Sequence, residues 1–252
     1  MRETAKKSTA MVAATAAALL VLTACGKDGS GAADTSAAGH RADGGRTDRR
    51  AAAPPPAVDS KTLTGVGATL SAKVPANARQ AVVVYGAGPA SADATVVFFT
   101  RSGGLWHRGP SWTAHNGDHG WAVQHHEGDR KSPVGVFTLH DAGGVRADPG
   151  SRLPYHQSRS FAPPATWAAD SRHVFDYVIA IDYNRVVGTS PNDPTRPQGE
   201  SKGGSIWLHM DDGKGSAACV TLSESGMRYL LRTLDPAAHP VVVMGDTAHL
   251  AG

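Results

Sequence analysis

From Gly26 to about Ala76 the chain carries no aromatic residue and very few large aliphatic ones. Such a stretch cannot bury enough apolar surface to offset the entropy of ordering it. Any core must therefore come from the region of about Arg79 to Met244, a length that suits one domain of ordinary size. The expected organisation is a leader over 1–24, a disordered tether over 25–78, and a folded domain over 79–252. Pro54, Pro55 and Pro56 stiffen part of the tether, and ~50 residues of flexible coil reach on the order of 35–40 Å.

Within the domain the pattern is mostly strand. Ala81–Tyr85 and Thr95–Phe99 are β-branched and aromatic runs bounded by Gly and Pro. Gly135–Leu139 follows a turn signal at Lys131, Ser132 and Pro133. Val174–Tyr183 is the longest strand candidate. Ser205–Met210, Ala218–Leu222 and Val241–Met244 complete the set. One helix is expected: Ser223 can cap it, Met227, Leu230, Leu231 and Leu234 fall at helical spacing, and Asp235-Pro236 ends it. The expected fold class is mainly β with one flanking helix (α+β). The connections at 140–173 and 188–204 are long, as functional loops often are.

The N-terminus reads as an export signal. Arg2, Lys6 and Lys7 precede the apolar run Met11–Leu22, and small residues then lead to Cys25. That run is shorter than the ~20 residues a spanning helix needs. Leu22-Thr23-Ala24-Cys25 resembles the lipobox of bacterial lipoproteins, which implies lipidation of Cys25, an anchor on the membrane surface without a spanning helix, and an extracytoplasmic location facing the cell wall. Removing the leader lowers the formal charge from +3 to +1. The sequence shows no clustered basic face, so no nucleic-acid partner is expected.

The other cysteine, Cys219, follows His209 by ten residues. Ser205–Met210 reads as a strand, 211–215 as a turn-rich loop, and Ala218–Leu222 as a returning strand. This arrangement can bring His209 within reach of Cys219, and a thiol becomes a strong nucleophile where a base takes its proton. The small residues Ala217 and Ala218 allow a substrate carbonyl to approach backbone N–H groups that form an oxyanion hole, with Ser216 bonding within the loop. A cysteine in a strand is also often a small buried hydrophobe, and spacing alone leaves both readings open.

Ser205–His209 followed by Ser216–Leu222 resembles the signature of the L,D-transpeptidase (YkuD) catalytic domain, in its branch with a short His-to-Cys loop. Glu127–Phe137, Tyr177–Asn184 and Leu230–Val243 resemble further blocks of that family in the same order. The resemblance implies an L,D-transpeptidase-like β-sandwich or open barrel. It implies Cys219 as nucleophile, His209 as general base and then acid, oxyanion support from the Ser216, Ala217 and Ala218 loop, and Tyr183 and Asn184 near a substrate groove. The implied partners are peptidoglycan stem peptides. The implied reaction releases D-Ala and passes the acyl group to an amine, forming a 3→3 cross-link, or to water, without metal or organic cofactor. The sequence departs from the family pattern at Ala218, where Gly is usual. A positive φ there would strain Ala and reshape the oxyanion loop. Ala217 and Thr221 also stand where basic side chains are common.

Three other readings compete. His115, His119, His125 and His126 lie around Trp112 and Trp121, but Asn116, Gly117 and Gly120 disfavour a helix presenting His115 and His119 to zinc. A solvated loop is expected there. A papain-like or NlpC/P60-type hydrolase would place its cysteine early in the domain, at a helix start, with histidine downstream; here Cys219 is late and in a strand, and the downstream His239 sits in a turn. A degenerate, wall-binding lipoprotein would keep the fold and lose the chemistry.

Overall fold

The computed structural model describes residues 59–252. In chain order the strands are β1 Gln80–Gly86, β2 Asp93–Ser102, β3 Leu105–His115, β4 Trp121–Ala122, β5 Ser132–Pro133, β6 Gly135–Thr138, β7 Ala142–Gly144, β8 Tyr155–Gln157, β9 Val178–Ala180, β10 Trp207–Met210, β11 Val220–Leu222 and β12 Val241–Asp246. The α-helices are α1 Ala68–Ser71, α2 Glu224–Thr233 and α3 Thr247–Ala251. The fold is mainly β with a few helices. Ten strands form one mixed sheet in the order β6-β12-β1-β2-β3-β11-β10-β9-β7-β8, and β4 pairs with β5 separately.

This sheet curls. β6 and β7 stand eight strand intervals apart in the sheet order, close to ~40 Å if the sheet were flat. Only residues 139–141 join them, and a chain that short reaches at most ~14 Å. The ends therefore meet. Asp182 N–H donates to the Thr138 carbonyl (3.1 Å) and Ala180 N–H to that of Asp141 (2.8 Å). Arg185 bridges Asp141 (2.9 Å) and Asp182 (2.5 Å) across the seam.

The inner face of the curl is apolar from every side. Val82, Val96, Ile179, Leu208, Val220 and Val242 line it, and α2 fills it with Met227, Leu230, Leu231 and Leu234. Ser223 caps α2 as expected, its Oγ accepting from Gly226 N–H at 3.2 Å. The outer face has two separate coverings. Leu63, Val66 and Leu70 pack with Leu250 of α3 over β1, β2 and β12. Phe161, Val174 and Phe175 cover β9 and β10.

Several expectations need correction. The fold begins before Arg79: Ser60 bridges Trp106, and Leu63, Val66 and Leu70 are buried. The tether expected over 25–78 fails for 60–78, because three well-spaced apolar residues suffice to cover an existing sheet. Cys25 and the rest of 1–58 lie outside the described residues. Only Val178–Ala180 of the expected strand at 174–183 pairs as strand; Val174 and Phe175 instead follow a 3-10 turn and cover the sheet, while Tyr177 enters the inner core. β3 went unread because Gly109 and Pro110 interrupt it. The register slips there, Val97 opposing Ser111 while Phe99 opposes Arg108, so Pro110 sits in a bulge where its missing N–H costs little.

Candidate functional site

β10 and β11 run parallel, with Leu208 opposite Val220, His209 opposite Thr221 and Met210 opposite Leu222. Side chains alternate along a strand. Leu208, Val220 and Leu222 enter the inner core, so Trp207, His209 and Thr221 face outward, and so does Cys219 just before β11. Cys219 packs with Trp207, Phe161 and Phe175. The Phe175 ring also stands 4.9 Å from that of His209. His209, opposite Thr221, and Cys219, two residues before it, therefore share one face of the sheet as diagonal neighbours.

His209 is held in one orientation. Its Nδ1 lies 2.8 Å from the Met210 carbonyl, and a carbonyl only accepts, so Nδ1 carries the proton. Nε2 is then the basic nitrogen, and it is buried without a hydrogen-bond partner. Burial lowers the pKa of His209, so the ring is neutral at pH 7. A neutral, oriented imidazole with a bare basic nitrogen can take a proton. Cys219 is 1% exposed, and its thiol lies 3.5 Å from the Ser205 carbonyl. Phe161, Val174 and Phe175 bury the cysteine from outside.

The loop before Cys219 is fastened on its inner side. Ser216 Oγ donates to the Cys219 carbonyl at 2.6 Å and Ser132 Oγ to that of Ala218 at 2.7 Å. In a planar trans peptide the N–H opposes the carbonyl, so the Cys219 N–H points away from Ser132. Asn116 and Asp118 hold the same loop: Ser216 N–H donates to Asn116 and Asp118 N–H to Ser216 (3.0 and 2.8 Å). Ala218 is not among the residues with positive φ, so the strain expected of Ala in place of Gly is absent.

Thr221 sits between two histidines across the sheet, His209 on β10 and His115 on β3. Asp211 Oδ1 accepts from Thr221 Oγ1 (2.6 Å) and lies 2.9 Å from His115 Nδ1. The bond to Asp211 raises the pKa of His115 against the opposing effect of burial. Burial works against ionisation of Asp211, but its bonds to His115 and Thr221 outweigh that and lower its pKa. One carboxylate oxygen thus ties three strands together beside the Cys/His pair.

Tyr183 and Asn184, expected near a groove, do another job. Asn184 is buried; its Nδ2 donates to the Gly199 (3.0 Å) and Gly203 (2.6 Å) carbonyls, and its Oδ1 accepts from Gln198 N–H. Tyr183 Oη donates to the His125 and Lys202 carbonyls. With their polar atoms spent on the chain, these residues brace loop 198–203, which leads into β10. The histidines expected in one solvated loop are dispersed: His115 ends β3 and His125 is buried. No group of three potential metal ligands occurs among the described residues. None of their helices is long and apolar enough to cross a membrane.

Sequence reasoning missed Ser132, Asp211 and Phe175, and noted Thr221 only as a departure from the family pattern. Ser132 stood inside a noted turn signal. The others act through pairings that no local pattern encodes.

No protein-family model matches the chain, and no curated protein matches it. Among solved structures it is similar to "Structure of Bdellovibrio bacteriovorus Bd1075", at 15% identity and a TM-score of 0.39, over 76% of this chain and 54% of that one. The chain thus spans about half the length of that structure, and a likeness this loose bears on neither fold nor function.

Proposed function

We propose that the chain is a peptidoglycan L,D-transpeptidase with an L,D-transpeptidase-like fold, a cysteine acyltransferase anchored to the membrane through Cys25. The observation that carries the reading is His209, fixed through Nδ1 to Met210 with Nε2 bare, on the same sheet face as Cys219. The motif resemblance supplies the substrate. His209 Nε2 takes the thiol proton as Sγ bonds to the carbonyl carbon of stem residue three. The resulting oxyanion is stabilised by backbone N–H groups at Ala217–Cys219. The carbon–nitrogen bond to D-Ala then breaks, and His209 returns the proton to the departing amine. An acceptor amine or water attacks the thioester, gives its proton to His209, and releases the sulfur.

Cys219 burial in an apolar cluster favours a second reading, a wall-binding protein that keeps the fold without the chemistry. The two separate on one experiment. Incubating the chain with a carbapenem should add the drug's mass to the wild type and nothing to Cys219→Ala. A stem tetrapeptide offered with an acceptor amine should lose D-Ala. No adduct together with an unaltered tetrapeptide selects the second reading.

A further inference from the structure

Resting on the acyl-transfer reading, we infer that Arg196 is the specificity residue of this site and binds the free carboxylate of the stem's terminal residue. Gly204 and Ser205 lie against its guanidinium. A Cβ on Gly204 would lie 2.2 Å from Arg196 Nε, so any larger residue there would push the guanidinium out of its place. Arg196 Nη2 donates to Ser205 Oγ at 2.7 Å, and the carbonyl of the same Ser205 lies 3.5 Å from Cys219 Sγ. One residue thus touches both the cation and the nucleophile. Ser205 holds a φ of 51°, a left-handed conformation that non-glycine residues seldom adopt and that clusters at functional sites.

Arg196 makes no direct ion pair with any described carboxylate, although its charge helps to lower the pKa of nearby Asp193. Its hydrogen bonds go to Ser205 Oγ and, at 3.3 Å, to the Asp193 and Thr195 carbonyls. A guanidinium has five N–H donors and suits a carboxylate in bidentate geometry, and these three bonds leave two donors over. In the stem the terminal carboxylate lies one residue beyond the scissile carbonyl, and Ser205 links Arg196 to the side of the site where the sulfur lies.

The test compares a stem tetrapeptide ending in D-alanine with the same peptide ending in D-alaninamide. The wild type should prefer the free carboxylate. Arg196→Gln should raise KM for it roughly 10- to 100-fold, leave kcat nearly unchanged, and erase the preference. Arg196→Lys should retain part of it. Gly204→Ala should act like Arg196→Gln by displacing the guanidinium. An unchanged thermal midpoint in Arg196→Gln separates lost recognition from lost folding. Equal use of both peptides by the wild type, or an intact preference in Arg196→Gln, overturns the assignment. Release of neither D-alanine nor its amide by the wild type overturns the acyl-transfer reading and this assignment with it. Binding of the tetrapeptide to Cys219→Ala, followed by calorimetry, gives a readout without turnover and should weaken when Arg196→Gln is added.

Discussion

His209 decides most at the scale of single residues. Its pKa is lowered by burial from an ordinary value of 6.5, so between the folded value and 6.5 the unfolded chain binds a proton the native state refuses. Stability contributed by the neutral ring is therefore lost as pH falls below about 6.5. His115 has the opposite sign: its raised pKa stabilises below 6.5, and that share is lost as pH rises through the folded value. Urea midpoints from pH 5 to 8 should show the His209 slope disappear in His209→Gln and the His115 slope disappear in His115→Gln. An unchanged pH profile in either variant refutes its assigned sign. His209→Ala should lower turnover roughly 10²–10⁴-fold with the fold intact. Thr221→Val removes one of the bonds to Asp211 and should cost about 1–2 kcal/mol by denaturant titration. Thr221→Ser should recover most of it; no loss in the valine variant would deny the bridge a stabilising role.

Among elements, the sheet was more legible than its surroundings. β1, β2, β6 and β12 announce themselves through β-branched runs, and α2 through apolar spacing and its Ser223 cap. The Cys/His pair was legible because both residues lie in or beside strands joined by a short loop, so local spacing carried their proximity. β3 was hidden because its bulge falls on Gly109-Pro110, and with β3 went the position of His115 beside Thr221. The covering at 161–175 was hidden because its residues pack as irregular chain, where no periodicity marks burial. That covering has a kinetic consequence. Native Cys219 should react with iodoacetamide much more slowly than in denaturant, and Phe161→Ala should speed the native reaction by opening a gap beside Trp207 (rings 5.9 Å apart). Equal rates in wild type and variant would mean that this segment does not guard the sulfur.

At the largest scale, the molecule is a sheet curled round α2, closed by a three-residue link at 139–141 and covered outside by 60–78 and 161–175. Leu230 is fully buried inside the curl, and Leu230→Ala should cost about 2–5 kcal/mol, measured as a shift in urea midpoint. The apolar poverty of 26–76 suggested a tether running up to the sheet. Three residues, Leu63, Val66 and Leu70, were enough to draw its last part onto β1 and β12, which composition averaged over a long window conceals. The curl places His209 and Cys219 together on the outer face, beside the loop that carries Arg196. By the proposed function, this pair breaks the bond to the terminal D-alanine of a stem tetrapeptide. Mass spectrometry of the tetrapeptide after incubation with the chain and an acceptor amine tests it directly. The expected result is loss of D-alanine and transfer of the tripeptide acyl group by the wild type, with neither in Cys219→Ala. An intact tetrapeptide in the wild type, or equal conversion by Cys219→Ala, would contradict it.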